Sequence, residues 1–341
     1  MHSHLLFAAL ASIARASPTQ GARGCREVQI PVTVSVPRFH ITTSVHDNWD
    51  ATALSFNLTR RDFGSAEFPL PISGATPGPV ESNYTVGATV CGHGGPTLVL
   101  THGIIESKLY WQPNLSDAGE YSFIDAAVAA GYTVLSYDRI GVGSSSKVNS
   151  LIDAQFQVET AVLDSLINYA QTKLGSTKVA LVGHSYGAYI SAASAAQSPV
   201  DALVLTGFSG TFDFFGPFVA GAGFRVARIQ DPGRWGELDA GWLISADLYA
   251  ETYAYFAEPF FEHRVAEWSY GVASEPFAVG ELPSLLNTTI VYGDITAPVL
   301  LLQGQYDVSA CGGNCAGVLE EVMTKLKGAR VVERVDDLPA G

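Results

Sequence analysis

Short, continuous runs of apolar residues alternate with longer segments of helical spacing from residue 97 to residue 207, and again after residue 291. The apolar runs predict buried strands at 97–100, 132–137, 178–182, 202–205 and 299–302. Helices are predicted between them at 123–130, 152–174 and 188–196. Buried strands that alternate with helices pair in parallel and are covered on both faces. The pattern therefore predicts the α/β class, with a mostly parallel sheet and helices on both of its faces.

Residues 17–95 have a different pattern. Polar and apolar residues alternate at 28–36 and again at 84–90, which predicts strands with one buried face. Prolines and glycines in the segment 63–79 predict a surface loop. We therefore expect residues 17–95 to form an N-terminal antiparallel β region.

Residues 208–290 interrupt the alternation of strands and helices and divide the α/β core into two parts, 96–207 and 291–341. The segment is rich in aromatic residues, namely Phe212, Phe214, Phe215, Trp235, Trp242, Tyr253, Tyr255 and Phe256. Its position predicts a mostly helical cap over the carboxyl edge of the sheet. Whether these aromatic side chains line an apolar pocket or form the core of the cap stays open.

The N-terminus resembles a signal peptide. An apolar stretch at 5–14 leads into Ala14-Arg15-Ala16, whose small residues fit a cleavage site before Ser17, although no Lys or Arg precedes the stretch. The stretch is shorter than the ~20 residues that span a bilayer. We expect residues 1–16 to be a signal peptide, and the protein to be secreted without a stable membrane anchor. A disordered or helical N-terminus is the alternative.

Sequons and cysteines also fit secretion. Sequons of the type Asn-x-Ser/Thr occur at Asn57, Asn83, Asn114 and Asn287. The 4 cysteines allow two disulfides, Cys25–Cys91 and Cys311–Cys315, although other pairings stay open. A metal site at Cys311 and Cys315 is the rival interpretation, but a second pair of nearby ligands is missing. We therefore predict no metal.

The composition and the net charge limit the classes of molecule that the protein is expected to bind. The 341 residues are 47% hydrophobic, enough for one large core, and the formal net charge is −14. Such an acidic surface repels phosphate backbones, so nucleic acid is not expected as a partner. A small molecule is the expected partner, and the sequence leaves the oligomeric state open.

The strongest motif is Gly183-His184-Ser185-Tyr186-Gly187. It follows the predicted strand 178–182 and precedes the predicted helix 188–196, which is the setting of a nucleophile elbow. The turn would raise the Ser185 hydroxyl to the end of the sheet, at a helix N-terminus. A second motif, His102-Gly103-Ile104, directly follows the strand 97–100.

With these two motifs the chain resembles the α/β-hydrolase superfamily over residues 27–341. The resemblance implies an oxyanion hole made by the backbone N–H groups of Ile104 and Tyr186. It implies supporting roles for His102, Gly103, Gly183, His184 and Gly187. Asp138 and Arg139, after the next strand, would form a structural pair. No metal or organic cofactor is implied.

The resemblance also implies an acid and a histidine that follow the serine in chain order. Asp307, after the strand 299–302, is the favoured acid, and Asp213 is the alternative. The histidine is expected after a last strand at 329–335, but none of the 8 histidines follows Asp307. Three explanations stay open: a histidine beyond Gly341 in a longer parent protein, His263 reaching in from the cap, or a non-catalytic relative.

The predicted function is a serine hydrolase that acts on carboxylic esters. Ser185 would attack an ester-like substrate, and water would release the acid from the acyl-enzyme. Without the histidine, turnover by these residues is expected to be weak or absent. The alternative is a secreted binding protein with the same fold and no catalysis.

Overall fold

Strands form the centre of the structure, a computed structural model that describes residues 24–60, 62–116 and 119–341. In chain order they are β1 (Arg26–Val36), β2 (Phe39–Ile41), β3 (Ile72–Ala75), β4 (Val80–Cys91), β5 (Thr97–Thr101), β6 (Thr133–Tyr137), β7 (Val179–His184), β8 (Ala202–Thr206), β9 (Arg225–Val226), β10 (Trp242–Ile244), β11 (Phe277–Ala278), β12 (Val299–Gly304) and β13 (Val332–Leu338). The central sheet has the order β1-β4-β6-β5-β7-β8-β12-β13. The predicted signal peptide, residues 1–16, lies outside the described residues.

The helices lie mainly between these strands in the chain. They are α1 (Asn48–Leu58), α2 (Phe123–Ala129), α3 (Phe156–Thr172), α4 (Tyr186–Gln197), α5 (Phe215–Ala222), α6 (Ala227–Gln230), α7 (Pro232–Trp235), α8 (Leu248–Tyr255), α9 (His263–Trp268), α10 (Glu281–Leu286), α11 (Val308–Cys311) and α12 (Val318–Lys325). Short 3₁₀ turns occur at Lys108–Trp111, Gly119–Tyr121 and Tyr292–Asp294, and a π-helical turn at Ser269–Ala273.

The parallel part of the sheet runs from β6 through β5, β7, β8 and β12 to β13. All residues of β5 and of β6 are buried. Their largely apolar sequences are typical of strands that are covered on both faces of a parallel sheet. This confirms the predicted α/β fold with a mostly parallel sheet.

The two faces of the sheet carry separate hydrophobic cores, since alternate side chains of a strand point to opposite sides. Val99, Leu135 and Leu181 pack on the face that is covered by α3 and α4. Their neighbours in the chain, Leu98, Val134 and Val182, pack on the opposite face with α2. Helices therefore cover both faces, as the sequence predicts.

The N-terminal region forms the other edge of this sheet. β1 pairs antiparallel with β4, from Arg26 opposite Val90 to Val36 opposite Val80, and β4 pairs antiparallel with β6. The predicted antiparallel strands are confirmed. The helix α1 in the same region is not predicted by the sequence pattern, although Asp47 caps it by accepting from the N–H groups of Trp49 and Asp50.

The cap, residues 208–290, contains α5 to α10 and a small antiparallel sheet in the order β11-β10-β9. Helices are predicted there, but the sheet is not, because its strands are two or three residues long. Trp242 of β10 is 0% exposed and packs on Gly141. A Cβ atom built on Gly141 would lie 1.9 Å from the indole ring. The contact between Trp242 and Gly141 anchors the cap on the core.

The sequons and the cysteine pairs that accompany the predicted secretion can be located in the structure. The four sequon asparagines, Asn57, Asn83, Asn114 and Asn287, are exposed. Both predicted cysteine pairs lie at disulfide distance, with Cα atoms 4.0 Å apart for Cys25–Cys91 and 5.0 Å apart for Cys311–Cys315. Across the described ranges, the helices are too short or too polar to cross a membrane.

We predict that Trp242→Ala lowers the free energy of unfolding by about 3–5 kcal/mol, because it leaves a cavity between the cap and the core. Trp49→Ala is the matched control, since Trp49 is 83% exposed; its effect should stay within about 0.5 kcal/mol. Urea unfolding followed by circular dichroism measures both. Equal losses in the two variants would contradict the anchoring role of Trp242.

Candidate active site

Ser185 lies in the sharp turn between β7 and α4. Its backbone has φ 51° and ψ −121°, a conformation that costs a non-glycine residue about 1–3 kcal/mol. The Ser185 N–H donates to the Thr206 carbonyl at 2.9 Å, which ties the turn to the end of β8. The neighbouring strand therefore holds the serine in a strained position at the carboxyl end of the sheet.

The two glycines of the motif allow the turn to pack closely. A Cβ atom on Gly183 would lie 2.4 Å from the carbonyl oxygen of Gly187. A Cβ atom on Gly187 would lie 2.3 Å from the carbonyl oxygen of Thr101, at the end of β5. Contacts this short exclude a side chain at either position, so the start of α4 can touch the end of β5.

The loop after β5 carries the predicted oxyanion hole. Ile104 and Tyr186 line the same cavity as Ser185. Neither the Ile104 N–H nor the Tyr186 N–H has an acceptor among the described residues, so both can donate to a bound oxygen. Ile105, the next residue, has φ 56°, and the Tyr255 hydroxyl donates to the Ile104 carbonyl at 2.6 Å.

His102 is fully buried and shapes this loop. Its Nε2 atom accepts from the Arg139 N–H at 3.1 Å, so the ring proton is on Nδ1, which donates to the Gly103 carbonyl at 2.8 Å. Burial and the nearby Arg139 charge hold the pKa of His102 well below its usual value. Both ring nitrogens are used within the loop, which leaves none for proton transfer at Ser185.

Arg139 connects the parts of the site. Its Nη1 atom donates to Glu159 of α3 at 2.8 Å and to Glu281 of α10 at 2.9 Å. Its Nη2 atom donates to the Gly103 carbonyl at 3.3 Å, and the guanidinium lies 4.8 Å from the centre of the Tyr186 ring. One buried cation thus contacts the oxyanion loop, the elbow, the core and the cap.

This cluster has two carboxyl groups for one cation. Burial raises the pKa of Glu159 to about 8, although Arg139 lowers it, and burial also raises the pKa of Glu281. The cluster therefore retains a proton near neutral pH, which balances its charge.

Asp138 and Arg139 both make structural contacts, as expected, but they do not contact each other through their side chains. Asp138 instead accepts from the Lys108 N–H at 2.9 Å and from the Ser144 N–H and hydroxyl at 2.9 and 2.7 Å. Consecutive residues at the end of an extended strand point to opposite sides, so the two side chains cannot meet.

Asp307 follows β12 and is 6% exposed. Its Oδ1 atom accepts from the Ala310 N–H at 2.7 Å and the Ser309 hydroxyl at 2.9 Å, and its Oδ2 atom accepts from Gln303 at 2.9 Å. Asp307 shares a cavity with Ser185. Asp213, the alternative acid, is exposed, accepts from the Thr211 hydroxyl and lines the other cavity at Ser185.

Glu106, which is buried, and His184, which is half-buried, are neighbours beside Ser185, and the sequence pattern does not single out Glu106. The Glu106 Oε2 atom accepts from the Gly103 N–H at 2.6 Å, and its Oε1 atom lies 3.4 Å from His184 Nε2. The other ring nitrogen of His184 bonds to the Thr206 hydroxyl at 2.8 Å, and Tyr110 stacks on the ring. Burial lowers the pKa of His184 to about 4 and raises that of Glu106 to about 8. The histidine is therefore neutral at physiological pH.

His263, suggested as a base from the cap, packs beside Phe261 at 5.6 Å between ring centres. His263 is not among the described residues that line the two cavities at Ser185. His184 is the histidine that does line one of them.

Ser185 lies where two cavities meet. The larger, about 640 Å³, is lined mainly by apolar side chains, among them Leu58, Phe63, Leu70, Phe212, Phe215 and Leu285. The smaller, about 280 Å³, contains Glu106, His184 and Asp307. Of the cap aromatics, Tyr255 and Phe256 line the smaller cavity, whereas Trp235 and Trp242 belong to the hydrophobic core. The aromatic residues of the cap therefore have both roles that the sequence left open: some line a cavity, and others form the hydrophobic core.

Comparisons with known proteins extend these observations. The model of the alpha/beta hydrolase family matches residues 98–339. A thermophilic esterase from Thermogutta terrifontis has a TM-score of 0.50 at 18% identity, over 77% of this chain and 87% of that chain. At this identity the likeness concerns the fold alone.

Two curated relatives match a smaller part of the chain. A probable 1-acylglycerol-3-phosphate O-acyltransferase of Oryza sativa subsp. japonica is 31% identical over 117 residues, 34% of this chain. A 1-acylglycerol-3-phosphate O-acyltransferase of Arabidopsis thaliana is 29% identical over 119 residues. Each match spans 26% of the relative's own length.

We predict that Arg139→Met lowers the free energy of unfolding by about 3–5 kcal/mol at pH 7, because Glu159 and Glu281 lose their buried cation. The loss should shrink at lower pH, because burial raises the pKa of both carboxyls in the folded protein, so folding takes up protons and is favoured as the pH falls. Arg60→Met is the control, since the Arg60–Asp62 pair is about half exposed (48% and 49%), and its loss should be much smaller than that of Arg139→Met. Urea titrations at pH 7 and at lower pH test this, and similar losses in the two variants would contradict it.

Proposed function

Because this chain belongs to the alpha/beta hydrolase family, we propose that it is a serine hydrolase that cleaves carboxylic esters through an acyl-enzyme on Ser185. The observation that carries the proposal is the Ser185 backbone, strained at φ 51° where two cavities meet. Such strain persists only where the surrounding structure imposes it, and it is concentrated at functional sites. Together with the match to the alpha/beta hydrolase family, this strain favours a hydrolase over a binding protein without catalysis.

In the proposed reaction the Ser185 hydroxyl oxygen attacks the ester carbonyl and passes its proton to the histidine base that the family resemblance places after Asp307 in chain order. The carbonyl oxygen becomes an oxyanion that the N–H groups of Ile104 and Tyr186 bind, one from the loop and one from the start of α4. The intermediate then breaks its bond to the alcohol oxygen, which leaves as the alcohol after gaining a proton. Water releases the acid from the serine in the second half of the reaction.

The two cavities support an assignment of the two halves of the ester. A departing alcohol needs a proton, and the titratable side chains Glu106, His184 and Asp307 all line the smaller cavity. The alcohol half therefore occupies the smaller cavity, and the acyl half the larger apolar one. Asp307 has the role of the acid that orients a histidine base and stabilises its imidazolium.

We predict that a fluorophosphonate probe labels the protein and that Ser185→Ala abolishes the labelling, because the probe reacts with an activated serine. Ser309→Ala is the control, since Ser309 also lines both cavities, and it should still be labelled. Gel fluorescence and peptide mass spectrometry identify the labelled residue. Labelling that persists in Ser185→Ala would contradict the assignment of the nucleophile.

We predict that Leu70→Trp narrows the larger cavity and shifts the preference toward short acyl chains. Each methylene that is kept out of an apolar site costs about 0.8 kcal/mol, so exclusion of about two methylenes should lower the ratio of kcat/KM for octanoate over butyrate p-nitrophenyl esters by about tenfold. Val265→Trp, in the smaller cavity, is the control and should leave this ratio unchanged. Equal shifts in both variants would contradict the assignment of the acyl half.

A further inference from the structure

One oxygen of Glu106 has no hydrogen-bond partner in the part of the chain that the structure describes. Glu106 is 8% exposed, and its Oε2 atom accepts from the Gly103 N–H, but its Oε1 atom is buried and unpaired. His184 Nε2, 3.4 Å away, forms no hydrogen bond with it. A buried polar atom without a partner costs about 1–3 kcal/mol, so this arrangement is expected where a ligand supplies the partner.

This oxygen belongs to the cavity in which the reaction takes place. Glu106 and Ser185 both line the smaller cavity. A Cβ atom built on Gly103 would lie 3.0 Å from Ser185 Cβ and 3.1 Å from Glu106 Oε2, so the carboxyl and the nucleophile flank the same point of the loop. A ligand whose carbonyl reaches Ser185 therefore passes close to Glu106.

We propose that Oε1 of Glu106 hydrogen-bonds a second oxygen in the alcohol half of the substrate, which makes Glu106 a specificity-determining residue of the smaller cavity. The inference rests on the proposed function, which puts the ester carbonyl at Ser185 and the alcohol half in that cavity. The substrates selected in this way are esters whose alcohol carries an ether or hydroxyl oxygen a few bonds from the ester.

The protonation state of Glu106 suits this role. Burial raises the pKa of Glu106 to about 8, although the Gly103 N–H and Arg139 lower it. At neutral pH the carboxyl is therefore mostly protonated: Oε2 accepts from Gly103, and the hydroxyl at Oε1 can donate to an acceptor oxygen. Above pH 8 the carboxyl ionises and can no longer donate, so the preference for an acceptor oxygen should disappear.

Other titratable and charged groups face Glu106 from the elements around it. They are His184 at the end of β7, Tyr110 in the 3₁₀ turn, Tyr255 and Glu251 on α8, and Arg139 after β6. His184 is neutral because burial lowers its pKa to about 4, and burial raises the pKa of both tyrosines. A variant at Glu106 retains all of these groups and therefore isolates the contribution of Glu106.

The test measures binding without turnover, in the Ser185→Ala background. Butyl hexanoate and 2-methoxyethyl hexanoate have the same number of heavy atoms and differ by one ether oxygen in place of a methylene. At pH 6.5, calorimetry should show about tenfold tighter binding of the methoxyethyl ester, the value of one hydrogen bond. Adding Glu106→Leu should remove this preference.

Glu106→Gln is the matched control, because its amide oxygen can still accept from the Gly103 N–H while its NH₂ group donates into the cavity. The Gln variant should keep the preference at both pH 6.5 and pH 9.5, whereas the parent with Glu106 should lose it at pH 9.5. The affinity for the butyl ester in each variant shows whether the loop itself has changed.

An equal preference in the parent and in the Glu106→Leu variant would overturn the inference, as would the absence of binding by either ester. Failure of the proposed function has a different signature. It would appear as absence of ester hydrolysis and of serine labelling in the protein with Ser185, whereas selective binding of the methoxyethyl ester would still support the Glu106 site.

Discussion

The buried guanidinium of Arg139 is the constraint on which the site depends. A buried cation must be paired, and its partners come from separate parts of the chain: Glu159 on α3, Glu281 on α10 and the Gly103 carbonyl in the oxyanion loop. The ring of Tyr186 lies beside the same cation. These contacts hold the loop that carries Ile104 next to the elbow that carries Tyr186. The two N–H groups that we propose as oxyanion donors are thereby fixed in position by the fold.

Strain and charge are distributed unevenly around Ser185. The described residues with positive φ other than glycine are Ser185 and Ile105, one in the elbow and one in the oxyanion loop. The larger cavity is lined mainly by apolar side chains together with Arg60 and Asp213, whereas the smaller one holds Glu106, Asp307 and His184. In the proposed reaction this difference gives the acyl and alcohol halves of an ester different surroundings, with Glu106 on the alcohol side.

Features set by local pattern were predictable from the sequence, and features set by distant contacts were not. The parallel strands follow from continuous apolar runs, and the elbow from five consecutive residues between a strand and a helix. The sequence pattern does not reveal the partners of Arg139, because Glu159 and Glu281 lie 20 and 142 positions away along the chain. Strands β9 to β11 are too short to show a period. Glu106 follows a recognised motif but belongs to no motif itself, so only the folded loop reveals its unpaired oxygen.

The central claim is that Ser185 carries the acyl group, and direct detection of the acyl-enzyme tests it. The protein is mixed with excess p-nitrophenyl hexanoate, quenched in acid within seconds, digested and analysed by mass spectrometry. The account predicts the added mass of one hexanoyl group on the peptide that contains Ser185, with fragmentation assigning it to that residue. Ester cleavage with the hexanoyl group on another residue, or without any hexanoyl peptide under conditions that trap a serine ester, would contradict it.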